Sequence, residues 1–158
     1  MVSKIKIVVV LFLICVNILV LVLNYDYNKL KSRESELKLI NERISLVEDL
    51  NLLFEGEINS ERLTEIYVQL SKMEKVETED YEQLQAEVSR RFRSVIDTGW
   101  SVAKDIESGT KSDSDPAIRN LEEFNNNKIE FLEFVQAYEK NLNKKIISLR
   151  IKNELESI

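Results

Sequence analysis

The chain has 158 residues, a net charge of −6 and 44% hydrophobic residues, with only three glycines and one proline. So few helix breakers exclude an all-β protein with many tight turns and favour an all-α fold. The absence of histidine and the single cysteine exclude histidine-based acid–base catalysis, Ser–His and Cys–His pairs, most zinc sites and intramolecular disulfides.

Charge is distributed unevenly along the chain. All 28 acidic residues follow Tyr25, whereas Lys4 and Lys6 are the only basic residues that precede it. An acidic surface repels phosphate backbones, so we expect no nucleic-acid partner.

The N-terminal segment has the composition of a membrane anchor. Residues 1–6 form a short basic tail, and residues 7–23 read IVVVLFLICVNILVLVL. The 19 residues from Ile5 onward nearly cross a hydrocarbon core of about 30 Å at about 1.5 Å per residue. No Ala, Gly or Ser lies between Ser3 and Ser32, so the small-residue cleavage site of a secretory signal is missing. We predict an uncleaved transmembrane signal anchor over 7–23.

Two residues in this segment differ from the large apolar side chains around them. Cys15 follows Ile14 rather than the small residue that a lipidated cysteine requires, so we interpret it as a lipid-facing or packed membrane residue. Asn17 leaves two interpretations open, a hydrogen bond to a partner helix in the membrane or a tolerated lone asparagine.

Residues 24–29 are predicted to form an interfacial junction. Tyr25 and Tyr27 favour the headgroup level, where the ring is buried and the hydroxyl is hydrated. Lys29 and Lys31 follow at distances suited to contacts with lipid phosphates.

The orientation in the membrane follows from the basic residues on the two sides. Lys4 and Lys6 favour a cytoplasmic N-terminus, whereas Lys29, Lys31 and Arg33 oppose them from the other side. The very short N-terminal tail and the acidic remainder favour a single-pass protein whose helical domain is exported.

Residues 30–158 have helical patterns that predict an acidic, elongated, antiparallel three- or four-helix bundle or coiled coil. The first helix is predicted over about 27–55 and is continuous with the anchor, because no breaker intervenes. Gly56 is predicted to end it, and Asn59 or Ser60 to cap the next helix.

The second helix is predicted over about 60–107, and its continuity near residue 77 is open. Either Thr78 caps a new helix inside the acidic run EKVETEDYE, or the heptad register continues through this run. We prefer one long helix with a bend, because nothing forces a stop. Gly99, beside the only tryptophan, permits a kink or a close helix contact.

The last helix is predicted over about 116–156. Gly109 ends the preceding helix, and Asp115 followed by Pro116 is a typical helix start. Asp113 and Asp115 form a D-x-D pattern without the other ligands of a calcium loop, so we interpret it as a capping turn.

The last helix presents two sets of nonpolar residues. Its apolar stripe is predicted to be core and consists of Ile118, Leu121, Leu132, Val135, Leu142, Ile146 and Leu149. An aromatic second face is predicted to be core in part and a partner surface for the remainder; it consists of Phe124, Phe131, Phe134 and Tyr138.

One further cluster raises the possibility of a ligand site. The run RRFR contains Arg90 and Arg93, which suit a carboxylate ligand or an acidic partner, and Trp100 follows. A helix fans such side chains around its axis, so we favour a solvated face paired with nearby glutamates, and core packing of Trp100.

No spacing singles out a catalytic carboxylate pair, and we predict no enzyme, no cofactor and no metal site. The predicted function is a membrane-anchored, non-catalytic helical scaffold or accessory subunit within a larger membrane assembly. It would contact the lipid bilayer through its anchor and a protein partner or a second copy through coiled-coil faces. The alternative is a membrane-anchored sensor domain that binds a small ligand between helices near Trp100, Arg90 and Arg93.

Overall fold

The computed structural model describes the backbone of residues 2–55, 59–79, 84–109 and 115–156, and the side chains of residues 11–55, 59–78, 84–109 and 116–154. Within this described part the chain is all-α, as predicted, and contains no strand. The helices are α1 (Val2–Glu55), α2 (Ser60–Glu79), α3 (Ala86–Glu107) and α4 (Asp115–Glu156).

Helix α1 has 54 residues and joins the apolar segment to the predicted first helix without a break. This continuity follows from the sequence, because no glycine or proline occurs before Gly56. Among the described residues, α1 is the one helix that is long and apolar enough, by length and composition, to cross a membrane. Gly56, predicted to end the helix, lies outside the described residues.

The connection from α1 to α2 is fixed by two capping interactions. Asn59 is the predicted N-cap, and its Oδ1 accepts a hydrogen bond of 2.9 Å from the backbone N–H of Arg62. The Arg62 guanidinium donates in turn to the carbonyls of Leu53 (2.8 Å) and Leu52 (2.7 Å). These carbonyls belong to the last turn of α1 and have no partner within the helix. Arg62 therefore ties the end of α1 to the start of α2.

The preferred prediction of one long helix over 60–107 is wrong. Helix α2 ends at Glu79, Gln85 has an extended backbone (φ −61°, ψ 131°), and α3 begins at Ala86. Thr78 caps no new helix, since it lies inside α2 and its hydroxyl donates back to carbonyls of the same helix.

Two tertiary contacts on either side of this break favour it. Arg43 of α1 is fully buried, and its guanidinium donates to the carbonyl of Val76 at 2.9 Å. Val76 is one of the last four residues of α2, so this bond stabilises the helix end from outside. Leu84, directly before the extended Gln85, is 8% exposed and belongs to the core.

The boundaries around the third connection agree with the sequence. Gly109 has a left-handed φ of 65° and follows the end of α3 at Glu107, as predicted. Helix α4 begins at Asp115, followed by Pro116. The predicted capping role of Asp115 and the D-x-D pattern with Asp113 lie outside the described side chains.

The chain divides into two compact units, one formed by Met1–Ser35 with Asn141–Ile158 and the other by Glu36–Lys140. In the first unit, Leu142 and Ile146 of α4 are buried, as predicted for the apolar stripe. Two ion pairs join α1 to α4 here, Arg150–Glu34 at 2.6 Å and Lys152–Asp26.

In the second unit the buried core takes side chains from all four helices. Its fully buried members include Ile40, Val47, Leu50, Ile66, Leu70, Met73, Val88, Phe92, Val95, Ile96, Phe124, Phe131 and Val135. Gly99 lies where the helices come closest, since a Cβ there would stand 2.8 Å from Leu70 Cδ2 and 3.3 Å from Leu50 Cδ2. The close helix contact expected at Gly99 is therefore present, and α3 continues through it.

Candidate functional site

The apolar segment of α1 is uncovered in the structure. Its large side chains are exposed from Leu11 onward, for example Phe12 at 67% and Leu21 at 68%. Exposed side chains of this size on consecutive turns are unfavourable in water and suited to a hydrocarbon environment.

Cys15 and Asn17, the two residues of this segment that are not large and apolar, are also exposed. Asn17 donates from Nδ2 to the carbonyl of Leu13 at 2.8 Å, which satisfies one of its two donors within its own helix. A contact between Asn17 and a partner helix remains a prediction. Cys15 is an exposed free thiol.

The predicted interfacial junction lies on α1 directly after the apolar segment. Tyr25 and Tyr27 are 65% and 61% exposed, and Lys31 is exposed as well. Lys29 places its Nζ 5.7 Å from the centroid of the Tyr25 ring, one turn earlier on the helix. The junction therefore presents rings and ammonium groups outward, and its place at a membrane interface stays a prediction.

The aromatic face of α4 is core in part, as predicted. Phe124 and Phe131 are fully buried. Phe124 makes an edge contact with Phe54 of α1 at 4.9 Å between ring centroids, and Phe131 packs on Phe92 of α3 at 5.6 Å. These two residues are therefore not available to a partner, and a partner surface on the remainder of this face stays a prediction.

Phe134 and Tyr138 are partly exposed and stack on each other, with ring centroids 6.2 Å apart. The Arg91 guanidinium lies 5.0 Å from the Phe134 ring centroid, and the Tyr138 hydroxyl hydrogen-bonds to Glu36 of α1. Both rings are thus engaged within the second unit and offer only their remaining edges to a partner.

The RRFR cluster is distributed around α3, as the helical periodicity predicts. Arg90 pairs with Glu87 through two bonds of 2.7 and 2.8 Å, and Arg93 pairs with Asp97 at 3.0 Å and with Glu77 of α2 at 3.6 Å. The hydrogen bond from Arg90, with a further one from Arg91, lowers the pKa of Glu87 to about 2. Each guanidinium therefore already has a carboxylate, which leaves little positive charge for an anionic ligand.

Trp100 is a packing residue with one polar contact. Its ring stacks on Tyr67 of α2 at 5.5 Å, and its Nε1–H donates to Glu74 at 3.1 Å. The Tyr67 hydroxyl binds Glu107 at 2.6 Å, and this hydrogen bond to a carboxylate raises the pKa of Tyr67. Together these contacts join α2 to α3.

A groove of about 310 Å³ lies in the second unit beside the arginine cluster. It is lined by Glu77, Ala86, Ser89, Arg90, Arg93 and Ser94. The hydroxyl of Ser89 is buried and has no hydrogen-bond partner in the described part of the chain. Trp100, which was predicted to share a ligand site with Arg90 and Arg93, is not part of this lining.

An exposed apolar stripe on α4 was missed by sequence reasoning. Ile118 and Leu121 were predicted to be core, yet both are 43% exposed, and Ile129 is 50% exposed. At 100° per residue these three side chains fall within about 80° around the helix axis. We call this set the α4 stripe. The stripe lies at a different angle around the helix axis from the buried residues Phe124 and Phe131. This angular difference is the signal that would have identified it.

Among the described residues, no group of three or more His, Cys, Asp and Glu side chains converges at a distance that would hold a metal ion. Comparison of this chain with protein-family models, with curated proteins and with solved structures gave no match.

Proposed function

We propose that this protein is a single-pass, membrane-anchored scaffold or accessory subunit that performs no catalysis and binds another protein through a helix face. The observation that carries the proposal is the continuity of α1. One uninterrupted helix contains the exposed apolar segment and also supplies Ile40, Val47 and Leu50 to a packed core. Such a helix joins a membrane span directly to a folded helical domain.

We further propose that Glu36–Lys140 is an antiparallel helical bundle. Three contacts between α1 and α4 support this: Glu36 with Tyr138, Asn51 with Lys128, and Phe54 with Phe124. As the residue number rises along α1, it falls along α4, which is the relation that antiparallel neighbours have.

The partner surface that we propose is the α4 stripe. Single exposed apolar residues are ordinary on a protein surface, but these three lie on one side of one helix and can pack together against an apolar helix face of another chain. A protein partner or a second copy of this chain that presents an apolar helix face would bury all three side chains.

The test of this function is co-purification of the tagged full-length protein in a gentle detergent. Leu121→Glu places a charge in the stripe, and Asn141→Glu adds the same charge at an exposed position about 200° around the same helix. We expect a stoichiometric partner, or a defined homo-oligomer, to be lost with Leu121→Glu and retained with Asn141→Glu. A monomer without partners in all three samples would contradict the proposal.

The membrane orientation that we propose has the N-terminus in the cytoplasm and the helical domain exported. Cys15 is the only cysteine, so a Cys15→Ser background permits one reporter thiol at Glu122. Glu122 is exposed, and an exported domain should react there with a membrane-impermeant maleimide in intact cells. Labelling only after lysis would show that the helical domain faces the cytoplasm, opposite to the proposed orientation.

A second candidate function, a small-ligand sensor, is favoured by one observation, the buried and unpartnered hydroxyl of Ser89 in the 310 Å³ groove. A ligand at 100 times its dissociation constant would stabilise the folded state by about 2.7 kcal/mol. Thermal unfolding with a panel of small polar ligands tests this candidate, because Ser89→Ala should abolish any true shift. A shift that Ser89→Ala leaves intact, or no shift at all, would remove this candidate.

A further inference from the structure

A basic groove of about 470 Å³ lies between α1 and α4 within the first unit. Its lining consists of Lys29, Arg33, Lys144, Lys145, Ser148 and Leu149. Four of these six residues are basic and none is acidic, although the chain as a whole is acidic. The two carboxylates that α1 contributes to this unit, Asp26 and Glu34, pair with Lys152 and Arg150. The groove therefore attracts anions.

The Lys29 end of the groove corresponds to the headgroup layer of a bilayer. Lys29 follows Leu23, the last residue of the apolar segment, by six residues, which is about 9 Å of helix. Side chains on a helix lean towards its N-terminus, so Lys29 leans back towards the apolar segment, and its contact with Tyr25 shows this lean. The headgroup layer extends about 5–8 Å beyond the hydrocarbon core on each side. The Lys29 ammonium thus lies at the level of lipid phosphates.

The end of α4 lies beside this same level. The ion pair of Lys152 with Asp26 places the last turns of α4 next to a residue only three positions beyond Leu23. Ile147 and Ile151, one turn apart, are 56% and 52% exposed there. Exposed isoleucines at the boundary between the headgroups and the acyl chains gain apolar contact from the membrane. A soluble anion would leave them in water.

We propose that this basic groove binds the phosphate of an anionic phospholipid headgroup. Lys29, Lys144 and Lys145 supply the positive charge, while Ile147 and Ile151 lie against the acyl chains. Basic pockets beside membrane helices are suited to such headgroups, and lysines near the surface attract them strongly. The proposal rests on the membrane anchoring proposed above. It adds that the C-terminal turns of α4 return to the bilayer surface and bind anionic lipids in preference to neutral ones.

The test titrates full-length protein in a neutral detergent with phosphatidylglycerol, phosphatidylcholine and inorganic phosphate, and counts bound molecules by native mass spectrometry. The variant is Lys144→Gln with Lys145→Gln, and the matched control is Lys38→Gln with Lys104→Gln. All four lysines are exposed, so both pairs remove the same charge without disturbing a core. Circular dichroism confirms that each protein remains helical.

We expect phosphatidylglycerol to bind more tightly than phosphatidylcholine. The groove variant should weaken this binding about 30-fold, at roughly fivefold per lysine, and the control should leave it unchanged. Equal binding of both lipids, an equal loss in both variants, or displacement of the lipid by inorganic phosphate would overturn the proposal. A full-length protein that alkaline carbonate extracts from membranes would instead reject the anchoring itself, so the two failures are distinguishable.

Discussion

The close helix contact at Gly99 provides a quantitative test of the packing in Glu36–Lys140. In Gly99→Ala the new methyl group would stand 2.8 Å from Leu70 Cδ2, 3.3 Å from Leu50 Cδ2 and 3.8 Å from Phe124 Cε2. Overpacking of this kind costs about 1–3 kcal/mol, while alanine gains about 1 kcal/mol of helix propensity over glycine. Because the new methyl group would crowd two fully buried side chains, Leu70 and Leu50, we expect a net destabilisation of about 1 kcal/mol.

Urea unfolding of the full-length protein, followed by circular dichroism in a mild detergent, measures this difference. A double-mutant cycle identifies its cause. Leu70→Ala removes the atom that clashes. The double mutant should therefore be more stable, by at least about 1 kcal/mol, than the sum of the two single-mutant destabilisations predicts. Ile66→Ala serves as the control because Ile66 is equally buried on the same helix and is not one of the three closest contacts of the new methyl group. Stabilisation by Gly99→Ala, or equal coupling in both cycles, would refute the proposed convergence of α1, α2 and α4 on α3.

Three further predictions follow from individual contacts. The pKa of Glu87, measured by NMR, should be about 2 at low salt and should rise with salt, because Arg90 is exposed and Arg91 is partly exposed. Since this pKa is depressed in the folded state, the associated stability is present above the ordinary carboxyl pKa and is lost as the pH falls towards 2. Arg62→Ala should destabilise the protein by about 1–2 kcal/mol through the loss of two bonds to the end of α1. Leu142→Asp should unfold or dissociate the helices because Leu142 is only 2% exposed, whereas Glu122→Lys should change the stability by less than about 0.5 kcal/mol.

Each of these predictions has a contradicting result. A pKa of Glu87 near 4.5 would show that the pairs with Arg90 and Arg91 do not persist in solution. An Arg62→Ala protein as stable as wild type would exclude the capping of α1 by Arg62, and equal stability of Leu142→Asp and Glu122→Lys would exclude the buried face of α4. Urea unfolding and thermal circular dichroism measure the stability of the Arg62→Ala, Leu142→Asp and Glu122→Lys proteins.

The helices that were predictable from sequence are those whose limits depend on local chemistry. Helix α1 follows from the absence of breakers before Gly56, and the start of α2 follows from the Asn59 cap. The end of α3 follows from the left-handed conformation that Gly109 adopts readily. In each case the determining residue lies within a few positions of the boundary.

The features that were not predictable depend on residues distant in sequence. Helix α2 ends close to a tertiary contact that the local sequence does not reveal, since Arg43, 33 residues earlier, donates to Val76. The apolar stripe of α4 differs from the prediction at Ile118 and Leu121 because packing sets the rotation of a helix, and a 3.6-residue period leaves that rotation open by roughly several tens of degrees. Leu121 was predicted to be core and is exposed, whereas Phe124, on the face that was predicted to be core in part, is fully buried.

Site-specific photo-crosslinking in living cells tests the scaffold function most directly. A photoreactive residue at Leu121 lies in the α4 stripe, and one at Glu123, two residues along and about 200° around the axis, lies on the opposite side of the helix. We predict a discrete membrane-associated crosslinked product from position 121 and none from position 123. The same product from both positions, or none from position 121, would contradict a scaffold that binds its partner through this face.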